Sequence, residues 1–225
     1  MTVVLCGALG ATRAIWEAQL AELHAAVVVE HPGHGGEPLE DEVSVESLAR
    51  RLLARVDGSF ALVGLSLGGA VAIRAAALAP GRVERLLLAG TAVRFGEPAQ
   101  WRERAETVRR EGLAAIVDAT MGRWFTPAYG DVSRSRAMFL SVDAEGYARC
   151  CEALAEWDAT GDLARVRAPT LAVTGAADPT APPAAAAALA DALSDGYSAV
   201  IEGAAHLANV ERPDEFNRLL LAHVS

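Results

Sequence analysis

Apolar and polar positions along this chain alternate between two periods. Short β-branched runs recur: Thr2–Cys6 (TVVLC), Ala26–Glu30 (AVVVE), Phe60–Gly64 (FALVG), Val83–Ala89 (VERLLLA), Thr170–Thr174 (TLAVT) and Ala199–Glu202 (AVIE). Each is bounded by glycine, proline or acidic residues and reads as a strand. Between them lie longer stretches with apolar residues at helical spacing. Thr12 caps one that carries Ile15, Trp16, Gln19, Leu20 and Leu23. Leu48, Leu52, Leu53 and Val56 share a face over Ser44–Val56, Gly68–Ala79 ends at Pro80-Gly81, Ala181–Leu193 is alanine-rich, and Pro213–Val224 closes the chain. Strands that alternate with helices predict an α/β fold, a mostly parallel sheet with helices on both faces. The rhythm breaks once. From about Thr91 to Ala168 the pattern is nearly all helical, with an interruption at Thr126-Pro127. The expected organisation is one core from residues 1–90 and 169–225, with residues 91–168 inserted as a helical cap over the sheet.

Composition narrows the classes of function. The chain has 225 residues, 20 basic and 29 acidic side chains, and a formal net charge of −9. A nucleic-acid binder needs a basic stripe to displace counterions from phosphate, and none is visible. Anionic membranes are disfavoured for the same reason. The longest apolar run, Ala61–Ile73, stops at Arg74 and is too short to cross a bilayer. The start, MTVVLCGALG, lacks the basic and long apolar regions of a signal peptide. Cys6, Cys150 and Cys151 form no disulfide framework and no zinc-ligand spacing, which suits a reducing cytoplasm. No cofactor or metal is expected. A small-molecule substrate is.

The chemistry lies on loops that follow strands. Gly64-Leu65-Ser66-Leu67-Gly68-Gly69 sits between a strand and a helix, the setting in which G-x-S-x-G forms a nucleophile elbow. Its turn is so tight that the flanking positions must lack a Cβ. It lifts the Ser66 hydroxyl above the sheet, with the N-terminus of a helix behind it. A serine nucleophile needs a base, and the base needs an orienting acid. Asp178 follows the strand TLAVT and His206 follows AVIE, giving the chain order Ser, Asp, His. His24, His31, His34 and His223 read as structural or solvated. In the HPGHG loop, His31 and His34 are suited to fixing the turn. An acyl-transfer site also needs two donors for the oxyanion. The expected ones are the N–H of Leu67 and the N–H of Leu9 in the turn Gly7–Gly10, with Ala8 as the alternative. The insert holds Phe95, Trp101, Trp124, Phe125, Tyr129, Phe139, Tyr147 and Trp157, eight of the twelve aromatic residues. Their concentration suggests an apolar pocket roof, although any one ring could equally belong to the cap's own core. Arg123, beside Trp124, is the candidate cation for an anionic substrate, and a solvated surface arginine is the plain alternative.

These residues resemble a known family. GLSLGG, GAADPTAPP and GAAHLANVERP resemble the α/β-hydrolase superfamily. The insert strings TAVRFGEPAQWRERAETVRREGL, MGRWFTPAY and EGYARCCEALAEWD, together with LGATRAIW, resemble the 3-oxoadipate enol-lactonases. The likeness runs from about Val3 to His223. It implies opening of an enol-lactone by water in aromatic-ring catabolism through the β-ketoadipate pathway, without a cofactor. It assigns Ser66 as nucleophile, His206 as base and Asp178 as orienter. It implies a small anionic lactone as substrate, with Arg123 as the candidate to hold its free carboxylate. Two departures stand out. The antiparallel strand pair that precedes the first parallel strand in such proteins is missing. The loop usually written D-x-R-G-H-G is Glu30-His31-Pro32-Gly33-His34-Gly35 here, a difference expected near the site mouth. Another cap-bearing esterase or C–C hydrolase, and a binding module that merely keeps the fold, are the alternative readings.

Overall fold

The computed structural model describes residues 1–224. Six strands form one sheet in the order β2-β1-β3-β4-β5-β6, all parallel. They are β1 (Val3–Cys6), β2 (Ala26–Val29), β3 (Phe60–Leu65), β4 (Val83–Ala89), β5 (Thr170–Gly175) and β6 (Gly196–Ile201). Every residue of β1 and β3 is buried, because helices cover both faces of the central strands. β2 and β6 are the edges and bury far less. As the sequence led us to expect, no antiparallel strand pair precedes β1 among the described residues, and β2 is an outer strand.

The helices follow the apolar stripes. α1 (Glu17–Glu22) continues a 3₁₀ turn at Arg13–Trp16 that Thr12 caps. α2 (Val45–Arg55) begins in a reciprocal capping box between Ser44 and Ser47, and buries Val45, Leu48, Ala49 and Leu52. α3 (Leu67–Leu78) is buried along nearly its whole length, which its alanines and glycines permit by close packing against the sheet. Between β4 and β5 comes the helical insert: α4 (Pro98–Glu111), α5 (Val117–Trp124), α6 (Ser133–Leu140), α7 (Ala144–Ala155) and α8 (Thr160–Leu163). α4 and α7 lie side by side, joined by Arg109 to Glu145 and Glu152. α9 (Pro183–Asp191), α10 (Ala208–Glu211) and α11 (Pro213–Val224) complete the chain.

Most boundaries agree or shift by a residue, and two element starts differ from the sequence expectation by more than that. β6 begins at Gly196, not Ala199. Its exposed Tyr197 and Ser198 hide an edge strand from any burial pattern, and Gly196 lies where a Cβ would meet the Ala190 carbonyl at 2.2 Å. α9 begins at Pro183, not Ala181. The N–H of Ala181 is held by the Asp178 carboxylate, and Pro182 remains extended as the cap.

The cysteines are buried and free. Burial pushes the Cys6 and Cys151 thiols up to about 12, so neither forms a thiolate near neutrality. No helix among the described residues is long and apolar enough to cross a membrane.

Candidate active site

Ser66 is the one non-glycine residue with a left-handed backbone among the described residues, at φ 56° and ψ −115°. Such a conformation costs about 1–3 kcal/mol and persists only where its surroundings enforce it. Here they do. Ser66 N–H donates to the Ala89 carbonyl at 2.8 Å, and the Thr91 hydroxyl donates to the Ser66 carbonyl at 3.1 Å. The elbow glycines leave no room for a side chain. A Cβ at Gly64 would sit 2.3 Å from the Gly68 carbonyl oxygen, and one at Gly68 would sit 2.0 Å from that of Cys6.

Asp178 and His206 converge from the ends of β5 and β6. His206 Nδ1 lies 2.8 Å from Asp178 Oδ2. A carboxylate only accepts, so the imidazole carries its proton on Nδ1 and keeps the Nε2 lone pair free. The other carboxylate oxygen accepts from Thr180 N–H at 2.8 Å and Ala181 N–H at 3.1 Å. Ser66, Asp178 and His206 are 7%, 3% and 5% exposed, so the array lies almost out of solvent. The loop around His206 is fastened on both sides. Ala205 N–H donates to the buried Glu211 carboxylate at 2.8 Å, and that carboxylate also accepts from Thr126 N–H at 3.1 Å. Leu207 N–H donates to the Trp124 carbonyl at 3.0 Å. Glu211 thereby joins the histidine loop to the insert. Sequence reasoning passed over it, because a glutamate in the string ANVERP gives no sign of its burial.

The first turn of α3 supplies donors. Gly68 N–H is taken by the Gly7 carbonyl at 3.0 Å, and Gly69 and Ala70 turn back to the Ser66 carbonyl. Leu67 N–H is the remaining donor of that turn. In the facing turn, Gly10 N–H is taken by His34 and Ala11 N–H by the Ala8 carbonyl, while Leu9 reaches the cavity beside Ser66.

That cavity is small, about 30 Å³. Leu9, Ser66, Thr180 and His206 form its floor, and Trp101, Arg104, Thr120, Arg123, Trp124 and Tyr147 its roof. It continues outward through Trp101, Arg104, Arg123 and Thr180 into a cleft of about 240 Å³ that Phe95, Gln100 and Pro179 also line. Arg123 and Trp124 both line the cavity beside Ser66. The expected apolar roof is corrected to a cationic one with aromatic sides. Phe139 packs edge-on between Trp124 and Tyr147, while Phe125 stacks on Tyr129, so these rings mainly build the insert's interior.

Arg104 was missed from sequence. Its Nε donates to Tyr147 Oη at 2.7 Å and its Nη2 to Thr120 Oγ1 at 2.7 Å. The other arginines of α4 to α7 show why it stands out. Arg102, Arg109, Arg110, Arg134, Arg136 and Arg149 all pair with carboxylates. Among the described residues, Arg104 and Arg123 have no such partner. Burial, and then the Arg104 charge beside it, lower the Arg123 guanidinium from its usual value. The loop Glu30–Gly35 is also corrected. It lines neither cavity and lies beneath the Gly7–Gly10 turn, with His31 Nε2 2.8 Å from the Gly7 carbonyl.

Strained serine, buried His–Asp pair and parallel sheet define a class, and comparison with known proteins agrees. The Alpha/beta hydrolase family profile matches residues 3–219, and the chain belongs to that family. It is 32% identical to the 3-oxoadipate enol-lactonase 2 of Acinetobacter baylyi, over 98% of this chain and 87% of that one. The crystal structure of the enol-lactonase from Burkholderia xenovorans LB400 superposes with a TM-score of 0.90 at 32% identity, covering 98% of this chain and 90% of that one. A thermophilic esterase from Thermogutta terrifontis, solved with malate bound, gives 0.90 at 28% identity over 99% and 88%. Within the family, the chain is an ester or lactone hydrolase of the enol-lactonase-like group.

Proposed function

We propose that the protein hydrolyses 3-oxoadipate enol-lactone to 3-oxoadipate, in cytoplasmic aromatic catabolism through the β-ketoadipate pathway. In this reading residues 1–90 and 169–225 are the catalytic core, and 91–168 the cap that selects the substrate. The observation that carries it is the pair Arg104 and Arg123, two guanidinium groups without a carboxylate on the roof above Ser66. Two like charges held side by side at half-buried positions repel until an anion joins them. A lactone bearing a free carboxylate supplies that anion. Trp101 and Trp124 then flank its ring.

The chemistry follows from the geometry. Ser66 Oγ attacks the lactone carbonyl and its proton passes to His206 Nε2, while Asp178 steadies the imidazolium. The N–H groups of Leu9 and Leu67 receive the oxyanion. The ring C–O bond breaks, the enol oxygen takes the proton from His206, and the enol tautomerises to the ketone. His206 next draws a proton from water, whose oxygen attacks the acyl ester. Ser66 Oγ departs with that proton. The product carries two carboxylates.

A second reading, a carboxylate-bearing simple ester as substrate, draws on the esterase solved with malate and on the outer cleft. Ultraviolet assay of enol-lactone disappearance, beside hydrolysis of p-nitrophenyl esters, separates the two. Faster turnover of the lactone is expected. Far faster turnover of simple esters would reject the enol-lactone reading in favour of the second.

A further inference from the structure

Beneath the oxyanion turn lie two buried imidazoles that the reaction does not consume. His31 and His34 pack edge to face, with ring centroids 5.6 Å apart, and both are buried. Their protons can be assigned from their partners. The Gly7 carbonyl only accepts, so His31 donates from Nε2, at 2.8 Å. Gly10 N–H only donates, so His34 accepts at Nε2, at 3.0 Å, and carries its proton on Nδ1 toward the Pro32 carbonyl at 2.9 Å. Burial pushes both imidazoles down, His31 to about 4 and His34 to about 3, which keeps them in these neutral forms.

The contacts form a strap. The Gly7 carbonyl accepts from His31 and, at 3.0 Å, from Gly68 N–H, the peptide next to Leu67. His34 holds Gly10 N–H, the peptide next to Leu9. Gly10 has φ 80°, and a Cβ there would meet the Phe139 ring at 2.6 Å, so the turn is clamped from above as well. Each donor assigned to the oxyanion is thus one residue from an anchored N–H, and His31, bonded to Gly7 and packed on His34, links the two anchors.

We infer that His34 and His31 are positioning residues that set the spacing between the Leu9 and Leu67 N–H groups, and hence the binding of the tetrahedral oxyanion. The inference rests on the serine chemistry proposed above, but not on which ester or lactone is the substrate. It distinguishes the two histidines in kind: His34 is required as an acceptor, His31 as a donor.

The test uses p-nitrophenyl acetate as substrate and a small alkyl boronic acid, which forms a tetrahedral adduct on a serine nucleophile. His34→Phe fills the space without an acceptor. Its kcat should fall on the order of 100-fold with KM nearly unchanged, the scale of losing an oxyanion donor. Boronate affinity should weaken by a similar factor, while binding of adipate, a ground-state dicarboxylate, stays the same. His34→Gln restores an acceptor and should recover most of kcat and of boronate affinity. Should His34→Phe fail to fold, His34→Asn, whose acceptor falls short of Gly10, carries the same expectation. Ser66→Ala is the reference: if it still hydrolyses the ester, the serine reading fails and this inference with it. If Ser66→Ala is inert but a folded His34→Phe keeps kcat and boronate affinity within twofold of the parent, this inference alone is overturned. A fall in kcat without a matching loss of boronate affinity overturns it too.

Discussion

The floor and roof of the site are made in different ways. The floor rests on backbone: a serine forced into a left-handed turn, and glycines with no space for a Cβ. The roof is side chain: Trp101 and Arg104 from α4, Thr120, Arg123 and Trp124 from α5, and Tyr147 from α7. Backbone geometry tolerates almost no change, because each atom is fixed by sterics and ladder hydrogen bonds. Side chains on helices can be exchanged without disturbing the helix that bears them. On the function proposed above, this is a division of labour, with bond-breaking on the rigid surface and substrate choice on the replaceable one.

That division can be attacked from either side. The largest effect is expected from Ser66→Ala. Turnover should fall by about 10⁴-fold or more while the protein keeps its fold and still binds adipate, as calorimetry would record. Gly68→Ala should come next, and unlike the serine change it should damage the whole molecule. Its new methyl group meets the Cys6 carbonyl oxygen at 2.0 Å, so β1 and α3 must separate. A loss of about 3 kcal/mol in urea unfolding is expected, with little activity left. A Gly68→Ala protein of parental stability would show that the floor is softer than described.

Roof variants should behave in the opposite manner. Arg104→Gln or Arg123→Gln should raise KM for the anionic lactone by about 10- to 100-fold, the value of a hydrogen bond to a charged group. Hydrolysis of neutral p-nitrophenyl acetate should hardly change, and neither should the melting temperature. An equal loss on both substrates would mean that the arginines serve the floor.

The smallest effect concerns acid. His31 and His34 are held far below the ordinary histidine value of 6.5 in the folded protein. Above pH 6.5 neither state binds a proton there, so their contribution to stability is complete. Below it the unfolded chain takes up protons that the folded one refuses, and stability declines as pH falls toward about 4. Urea unfolding at pH 7.5 and pH 5 should reveal this slope, and His34→Gln should flatten it. An unchanged slope would mean that His34 is already protonated when folded.

Legibility from sequence divides along the same line. The elbow, the acid and the histidine each follow a strand, and their spacing from it is dictated by chain geometry, so Ser66, Asp178 and His206 could be named from the string alone. The buried central strands were equally plain, as continuous apolar runs. The first half of edge strand β6 was not, because Tyr197 and Ser198 face water and only Ala199–Ile201 read as strand. Arg104 could not be told from Arg102 two positions earlier. Helix rotation turns Arg102 outward to Glu156 and Arg104 inward to Tyr147, and that rotation is fixed by packing between α4 and α7. Glu211 was opaque for a related reason, and His34 was legible as a residue fixing its own turn but not as the partner of Gly10. Their partners, Thr126 and Gly10, lie far away in the chain.

The place of the insert in the sheet has a consequence for engineering. β4 and β5 are parallel neighbours, so the chain leaving the top of one must travel back to the bottom of the next. The roof is that return journey, lengthened. It is therefore no detachable hood: deleting it would sever the wiring that delivers β5, and with β5 the loop bearing Asp178. Redesign for a new substrate can rewrite the cavity-facing positions of the helices, but some crossover of useful length must always remain.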